Sequence, residues 1–213
     1  MTDIFRMHNV VYRTKVLGPG ERAAIWFQGC HRRCEGCMSA SSRPLEGGRL
    51  VSISKLCRAI FAQEGLEGVT ISGGEPFLQA QALFSLLETI RRESDLGVIV
   101  YTGYTLEQLK ALNNSWVDKI LDGYVDLLID GEYVQAYNDG KSLKGSSNQR
   151  VLFLTERYLP YKALYEGSTR NAEVRLSGND VFFVGIPSEQ TWQQWRAAVE
   201  EVDGQKKQGN EEK

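Results

Sequence analysis

The sequence predicts an α/β fold in which parallel strands alternate with helices. Three observations predict it. Short apolar runs, such as residues 69–71 and 97–101, alternate with amphipathic stretches, such as Leu83, Leu86, Leu87 and Ile90, at the rhythm of a parallel sheet with helical crossovers. Polar, glycine-rich signatures follow the strands, which sets them along one edge of the sheet, where ligands bind in open α/β folds. A chain of 213 residues that is 42% hydrophobic gives one domain room for a substantial core.

Taken in order, residues 9–16 (NVVYRTKV) read as a strand closed by the turn Gly18-Pro19-Gly20. Residues 23–27 (AAIWF) read as a buried strand that opens into a cysteine-rich loop. Ile53, Leu56, Cys57, Ile60 and Phe61 recur at helical spacing. A short strand, 69–71, then ends in Ser72-Gly73-Gly74-Glu75-Pro76, and the Leu83–Ile90 stripe marks the next helix. Strand 97–101 ends in Thr102-Gly103, and Thr105 with Gln108 forms a capping box for another helix. Strand 124–129 ends at Asp130-Gly131, and residues 151–154 suit a fifth strand.

Beyond Arg150 the pattern changes. Residues 174–177 and 181–184 read as a β-hairpin turning through 178–180, and Pro187-Ser188 opens a helix carrying Trp192, Trp195, Val199 and Val202. The tryptophans read as packing residues. The expected organisation is one unit: a core over 1–154 with its cysteine loop at 30–37, a hairpin and helix extension over 155–203, and a polar, disordered tail over 204–213.

A formal net charge of −2 gives no electrostatic case for nucleic acid or an anionic membrane. No apolar run approaches the roughly 20 residues of a membrane helix, and the N-terminus lacks a signal-peptide core. Clustered cysteines without a secretion signal predict the reducing cytoplasm and a metal site.

The cysteines organise the rest. Cys30, Cys34 and Cys37 stand three and then two residues apart. Thiolates this dense are soft ligands suited to an iron–sulfur cluster or zinc, but structural zinc would need a fourth Cys or His at its own short spacing. Cys57 lies far downstream on an apolar helix face and reads as a small buried hydrophobe. Three ligands on a four-iron cube leave one iron open to a substrate. His31, Arg32 and Arg33 read as residues that solvate the loop, with contact to a redox partner as the sharper alternative.

The spacing C-x-x-x-C-x-x-C resembles the cluster loop of the radical S-adenosylmethionine (SAM) enzymes. Gly36 replaces the aromatic residue that most members carry before the third cysteine. Together with Gly18-Pro19-Gly20, Gly73-Gly74-Glu75-Pro76, Thr102-Gly103, Asp130-Gly131 and the run Gly145-Ser146-Ser147-Asn148-Gln149, that departure resembles the anaerobic ribonucleotide reductase activating proteins. The resemblance implies a partial (β/α) barrel of parallel strands, a 4Fe–4S cluster on Cys30, Cys34 and Cys37, and SAM held by Gly36, Met38, Gly73, Gly74, Glu75, Pro76, Thr102, Gly103 and Asp130. It implies reductive cleavage of SAM and hydrogen-atom abstraction from a polypeptide, most directly to place a glycyl radical on a large reductase, with flavodoxin or ferredoxin as electron donor. The chain runs well past the G-S-S-N-Q run, where compact activases end, so modification of a ribosomally made precursor peptide, such as splicease-type excision at tyrosine, is the alternative. A non-catalytic iron–sulfur electron carrier would explain the cysteines but not Gly73-Gly74-Glu75-Pro76.

Overall fold

The computed structural model describes residues 2–167, 169–177 and 180–211. Strands β1 (Ile4–Thr14), β2 (Arg22–Phe27), β3 (Arg49–Ser52), β4 (Gly68–Gly73), β5 (Gly97–Tyr101), β6 (Leu127–Asp130) and β7 (Arg150–Phe153) form a seven-stranded sheet in the order β3-β1-β2-β4-β5-β6-β7. Helices α1 (Ile53–Phe61), α2 (Ala80–Glu93), α3 (Leu106–Ala111) and α4 (Ser115–Leu121) fall between the strands.

The α/β class holds, but the sheet is mixed rather than all parallel, and no closed barrel forms among the described residues. β2, β4, β5 and β6 run parallel. β1 pairs antiparallel with both β2 and β3, and β7 pairs antiparallel with β6. Connection chemistry explains the difference. A parallel pair needs a long crossover, usually helical, whereas β1 reaches β2 through a short glycine turn. β3 and β7 end the sheet at opposite edges with no closure between them.

Strand alternation splits the core. Ala23, Ile25 and Phe27 of β2, Val69 and Ile71 of β4, Val98 and Val100 of β5 and Leu128 of β6 face the apolar sides of α1, α2 and α4. Ile99, Leu127 and Ile129 face the other way and are covered by Leu143, Tyr158 and Tyr165. Ala24 of that second face packs with Val16, Leu17, Val184 and Ile186.

Tyr158 also fixes the start of the C-terminal segment. Arg22, wholly buried, donates to Tyr158 Oη at 2.8 Å, Thr70 Oγ1 at 2.8 Å and Val69 O at 2.7 Å, and forms an ion pair with Glu67. Strands β8 (Ala172–Ser177) and β9 (Asp180–Gly185) pair antiparallel, as the hairpin reading expects, while the turn residues 178 and 179 lie outside the described residues. The final helix, α5 (Glu189–Glu211), docks through Trp192 and Trp195, whose ring centroids lie 5.9 and 5.2 Å from that of Phe183. It runs past Gly204, where the sequence reading places a tail, because Gln205, Lys206, Lys207 and Gln208 are strong helix formers. Residues 212 and 213 lie outside the described residues.

Candidate active site

The cysteine loop leaves the end of β2 and is tied down as it starts. Gly29 N–H donates to Ser42 O at 2.8 Å and Cys30 N–H donates to Arg43 O at 2.9 Å, so the loop closes on a 3-10 turn, Ala40–Ser42. The end of β4 is laced to the same place: Gly74 N–H donates to Phe27 O and Glu75 N–H to Gly29 O, both at 2.8 Å. The glycine pair is demanded by this approach. A Cβ on Gly74 would stand 2.2 Å from Gly29 O, and Gly73 has φ +110° with a would-be Cβ 2.4 Å from Phe27 N.

Glu75, 2% exposed, joins the ends of β4 and β5. Its carboxylate accepts from Thr102 Oγ1 at 2.9 Å, Gly103 N–H at 2.8 Å and Phe77 N–H at 3.1 Å. Burial pushes its pKa up from the ordinary 4.5, against the lowering effect of these donors. Above 4.5 the folded protein keeps a proton that the unfolded chain has lost, so this group makes stability fall as pH rises from there toward the raised value. Glu75→Gln should remove that slope. It should also cost about 1–3 kcal/mol, because an amide NH2 replaces one acceptor oxygen. Thermal unfolding of both proteins across acid and neutral pH checks this, and an unchanged slope would refute it.

These strand ends surround one cavity with about 940 Å3 of empty space, its open mouth included. Cys30, Cys34, Cys37, Met38, Gly73, Gly74, Glu75, Thr102 and Gly103 all line it. Three residues expected there do not. Gly36 is absent from the lining and lies against Gln135, and Pro76 starts the 3-10 turn leading into α2. Asp130 is fully buried and gives its carboxylate to Leu106 N–H at 2.7 Å and to the Arg150 guanidinium. Asp130 thus caps α3 and anchors β7, as an Asp-Gly pair alone could not reveal.

The structure adds residues that the sequence reading did not assign to the site. Arg32 turns inward onto the Tyr104 ring, 4.8 Å from its centroid, and its Nη1 lies 3.1 Å from Glu132 Oε2. Its Nε is buried with no partner among the described residues. Gln149 lines the cavity, accepting from Gly145 N–H at 2.7 Å and donating to Gly131 O at 2.8 Å. Gly185 and Ile186 bring the C-terminal segment to the wall. The G-S-S-N-Q run was a local signal for Gln149; nothing local marks Arg32 or Ile186, which arrive through tertiary packing.

Among the described residues, no three His, Cys, Asp or Glu side chains are grouped as for a metal ion, and the three thiols stand around the cavity wall. A structural zinc on three thiolates takes a fourth Cys or His, and the lining residues include neither. Three soft thiolates with an open position fit an iron–sulfur cluster. Burial, and then the Glu132 carboxylate that accepts from Cys34 Sγ at 3.4 Å, pushes the Cys34 thiol up to about 11. Metal must therefore displace the Cys34 proton on binding. Cys57 is buried in the core, away from the cavity.

Residues 16–152 match the family model described as the 4Fe-4S single cluster domain. The chain belongs to this family. The anaerobic ribonucleoside-triphosphate reductase-activating protein of Haemophilus influenzae is 31% identical over 152 residues, which cover 66% of this chain and 93% of that protein. The protein of the same description from Escherichia coli K12 is 31% identical over 144 residues, covering 64% of this chain and 90% of its own. That from Enterobacteria phage T4 is 29% identical over 141 residues, with 64% and 86% covered. Among solved structures, QueE from Escherichia coli overlays 48% of this chain and 53% of its own at TM-score 0.39 and 17% identity, too distant to carry an argument. With its 4Fe–4S family and these relatives the chain stands among the radical SAM enzymes, in the branch that Gly36 and the accompanying glycine motifs resemble. The family match stops at residue 152, so the hairpin and α5 lie outside it.

Proposed function

We propose that this protein is a radical SAM activase: Cys30, Cys34 and Cys37 hold a 4Fe–4S cluster, SAM binds beside it, and the product is a glycyl radical on a partner reductase. The observation that carries the reading is convergence. The loops after β2, β4 and β5 bring the three thiols, the glycine pair, Glu75 and Thr102-Gly103 to one cavity at one edge of the sheet. A reduced cluster with SAM supplies an organic radical that takes a hydrogen atom from a polypeptide. The chain supplies position and shelter. Cys30, Cys34 and Cys37 would hold the cluster, Glu75 would offer a carboxylate to an ammonium, and the Arg32 guanidinium would suit a carboxylate. Trp26, Leu17, Tyr101 and Ile186 give the cavity an apolar side that keeps water from a reactive carbon centre.

The relatives' descriptions favour a large reductase over a precursor peptide as substrate. A flavodoxin or ferredoxin would supply the electron. Free thiols at all four cysteines suit the cytoplasm, and among the described residues no helix is long and apolar enough to cross a membrane.

The test is anaerobic reconstitution followed by reductant and SAM. Slow release of 5′-deoxyadenosine is expected, and adding an anaerobic reductase should give a glycyl-radical doublet in its electron paramagnetic resonance (EPR) spectrum. An intact cluster with neither SAM binding nor cleavage would instead make the protein an electron carrier.

A further inference from the structure

Gly36 of the cluster loop is not explained by the cavity. Gly36, between Cys34 and Cys37, has φ +65°, where L side chains are uncommon. The space beside it is filled: a Cβ on Gly36 would lie 2.6 Å from both Cδ and Oε1 of Gln135. The Gln135 amide therefore lies against the loop where another residue's side chain would project.

Gln135 is held from two directions. Its backbone opens a 3-10 turn, Gln135–Tyr137, pinned to the G-S-S-N-Q run: Val134 N–H donates to Ser146 Oγ at 3.1 Å and Ser147 N–H to Tyr137 O at 2.7 Å. Its side-chain Nε2 donates to Glu189 Oε1 at 2.8 Å. Glu189 is the first residue of α5, and the same oxygen accepts from Gln193 Nε2 at 2.9 Å, one turn along. The other carboxylate oxygen, Oε2, is buried with no partner among the described residues, so this placement carries a desolvation cost. Arg170 fixes the helix head, donating from Nη1 to Pro187 O at 3.1 Å and to Asn138 Oδ1 at 2.6 Å, and from Nη2 to Gly145 O at 3.3 Å. Through one glutamine, a helix outside the family match reaches the loop between two cysteines.

We infer that Gln135 is a positioning residue for the cluster loop, braced against Gly36 by Glu189, so that docking of the C-terminal helix and order in the cluster loop are coupled. Without Glu189 the Gln135 amide regains its rotamers. The loop, whose glycine has no side chain of its own to pack, then loses its backing at that point. The inference rests on the proposal that Cys30, Cys34 and Cys37 hold the cluster.

The test uses the full-length reconstituted protein under anaerobic conditions. It reads the rate at which a ferrous chelator strips iron, together with the EPR line shape of the reduced cluster. Gln135→Ala and Glu189→Ala should each accelerate iron loss by about fivefold, the factor one hydrogen bond commands, and broaden the signal. Gln135→Glu, which sets two carboxylates face to face, should do so at least as strongly. Combining Gln135→Glu with Glu189→Gln rebuilds the bond with donor and acceptor exchanged and should restore the wild-type rate and line shape. Iron loss at the wild-type rate from Gln135→Ala overturns the inference alone, provided the wild-type protein holds its cluster. Failure of the exchanged pair to rescue Gln135→Glu overturns it too. A wild-type protein that takes up no cluster overturns the cysteine assignment and this inference with it.

Discussion

Cys30→Ala, Cys34→Ala and Cys37→Ala are each expected to abolish cluster assembly on anaerobic reconstitution, while Cys57→Ala should leave it intact. Each of the first three removes one of three soft ligands lining the cavity. Two thiolates cannot hold a cube that already leaves one iron without a protein ligand. Cys57 sits 1% exposed on α1, among the residues packed against the sheet, and burial pushes its thiol up to about 12, so it stays a neutral, inert side chain. Its replacement removes one buried sulfur, at a cost of about 1–2 kcal/mol. Iron and sulfide content, with visible absorbance, read the outcome. Full cluster occupancy in Cys34→Ala would end the assignment.

Gly74→Ala should be nearly as damaging, for a reason that lies in the protein rather than in any ligand. The neighbour that a methyl group would strike is the Gly29 carbonyl, 2.2 Å away, and a backbone carbonyl cannot swing aside as a side-chain end can. Relief requires parting β2 from β4 where Gly74 and Glu75 hydrogen-bond to Phe27 and Gly29, one residue before Cys30. We expect a loss of about 3 kcal/mol, which is about 6–12 °C in Tm at this chain length. Cluster retention should fall as well, because the first cysteine moves with Gly29. Thermal unfolding and iron content measured on the same preparation check both parts. An unchanged Tm would show that the strands can separate freely there.

What the sequence disclosed was what local chemistry controls. The capping box at Thr105 and Gln108 forms with both of its bonds, since its partners are three residues apart. The buried strands 23–27 and 97–101 declared themselves as apolar runs. Strand β3, RLVS, did not, because an edge strand with Leu50 largely exposed has no burial pattern to show. Helix α4 was missed although Asn114 caps it and Val117 and Ile120 are buried at helical spacing; its shortness hid the period. In the site, the motifs named the right strand ends, but only distance could separate Glu75, which faces the cavity, from Asp130, whose carboxylate is spent on Arg150 and Leu106. Strand direction was legible where a helical crossover imposed it and illegible where a turn or an irregular loop made the connection.

The two-faced sheet has a practical consequence for anyone dissecting this enzyme by deletion. Helices α1, α2 and α4 cover one face; Ile99, Leu127 and Ile129 on the other are sheltered by Tyr158 and by Tyr165 of a 3-10 helix, beyond the family match. A chain cut back to that match would present a bare apolar surface to solvent, inviting self-association and loss of cooperative folding. Its inactivity would report exposed core, whatever the missing segment contributes to chemistry. Point substitutions at Gln135 or Glu189 leave the shelter in place and can ask the chemical question.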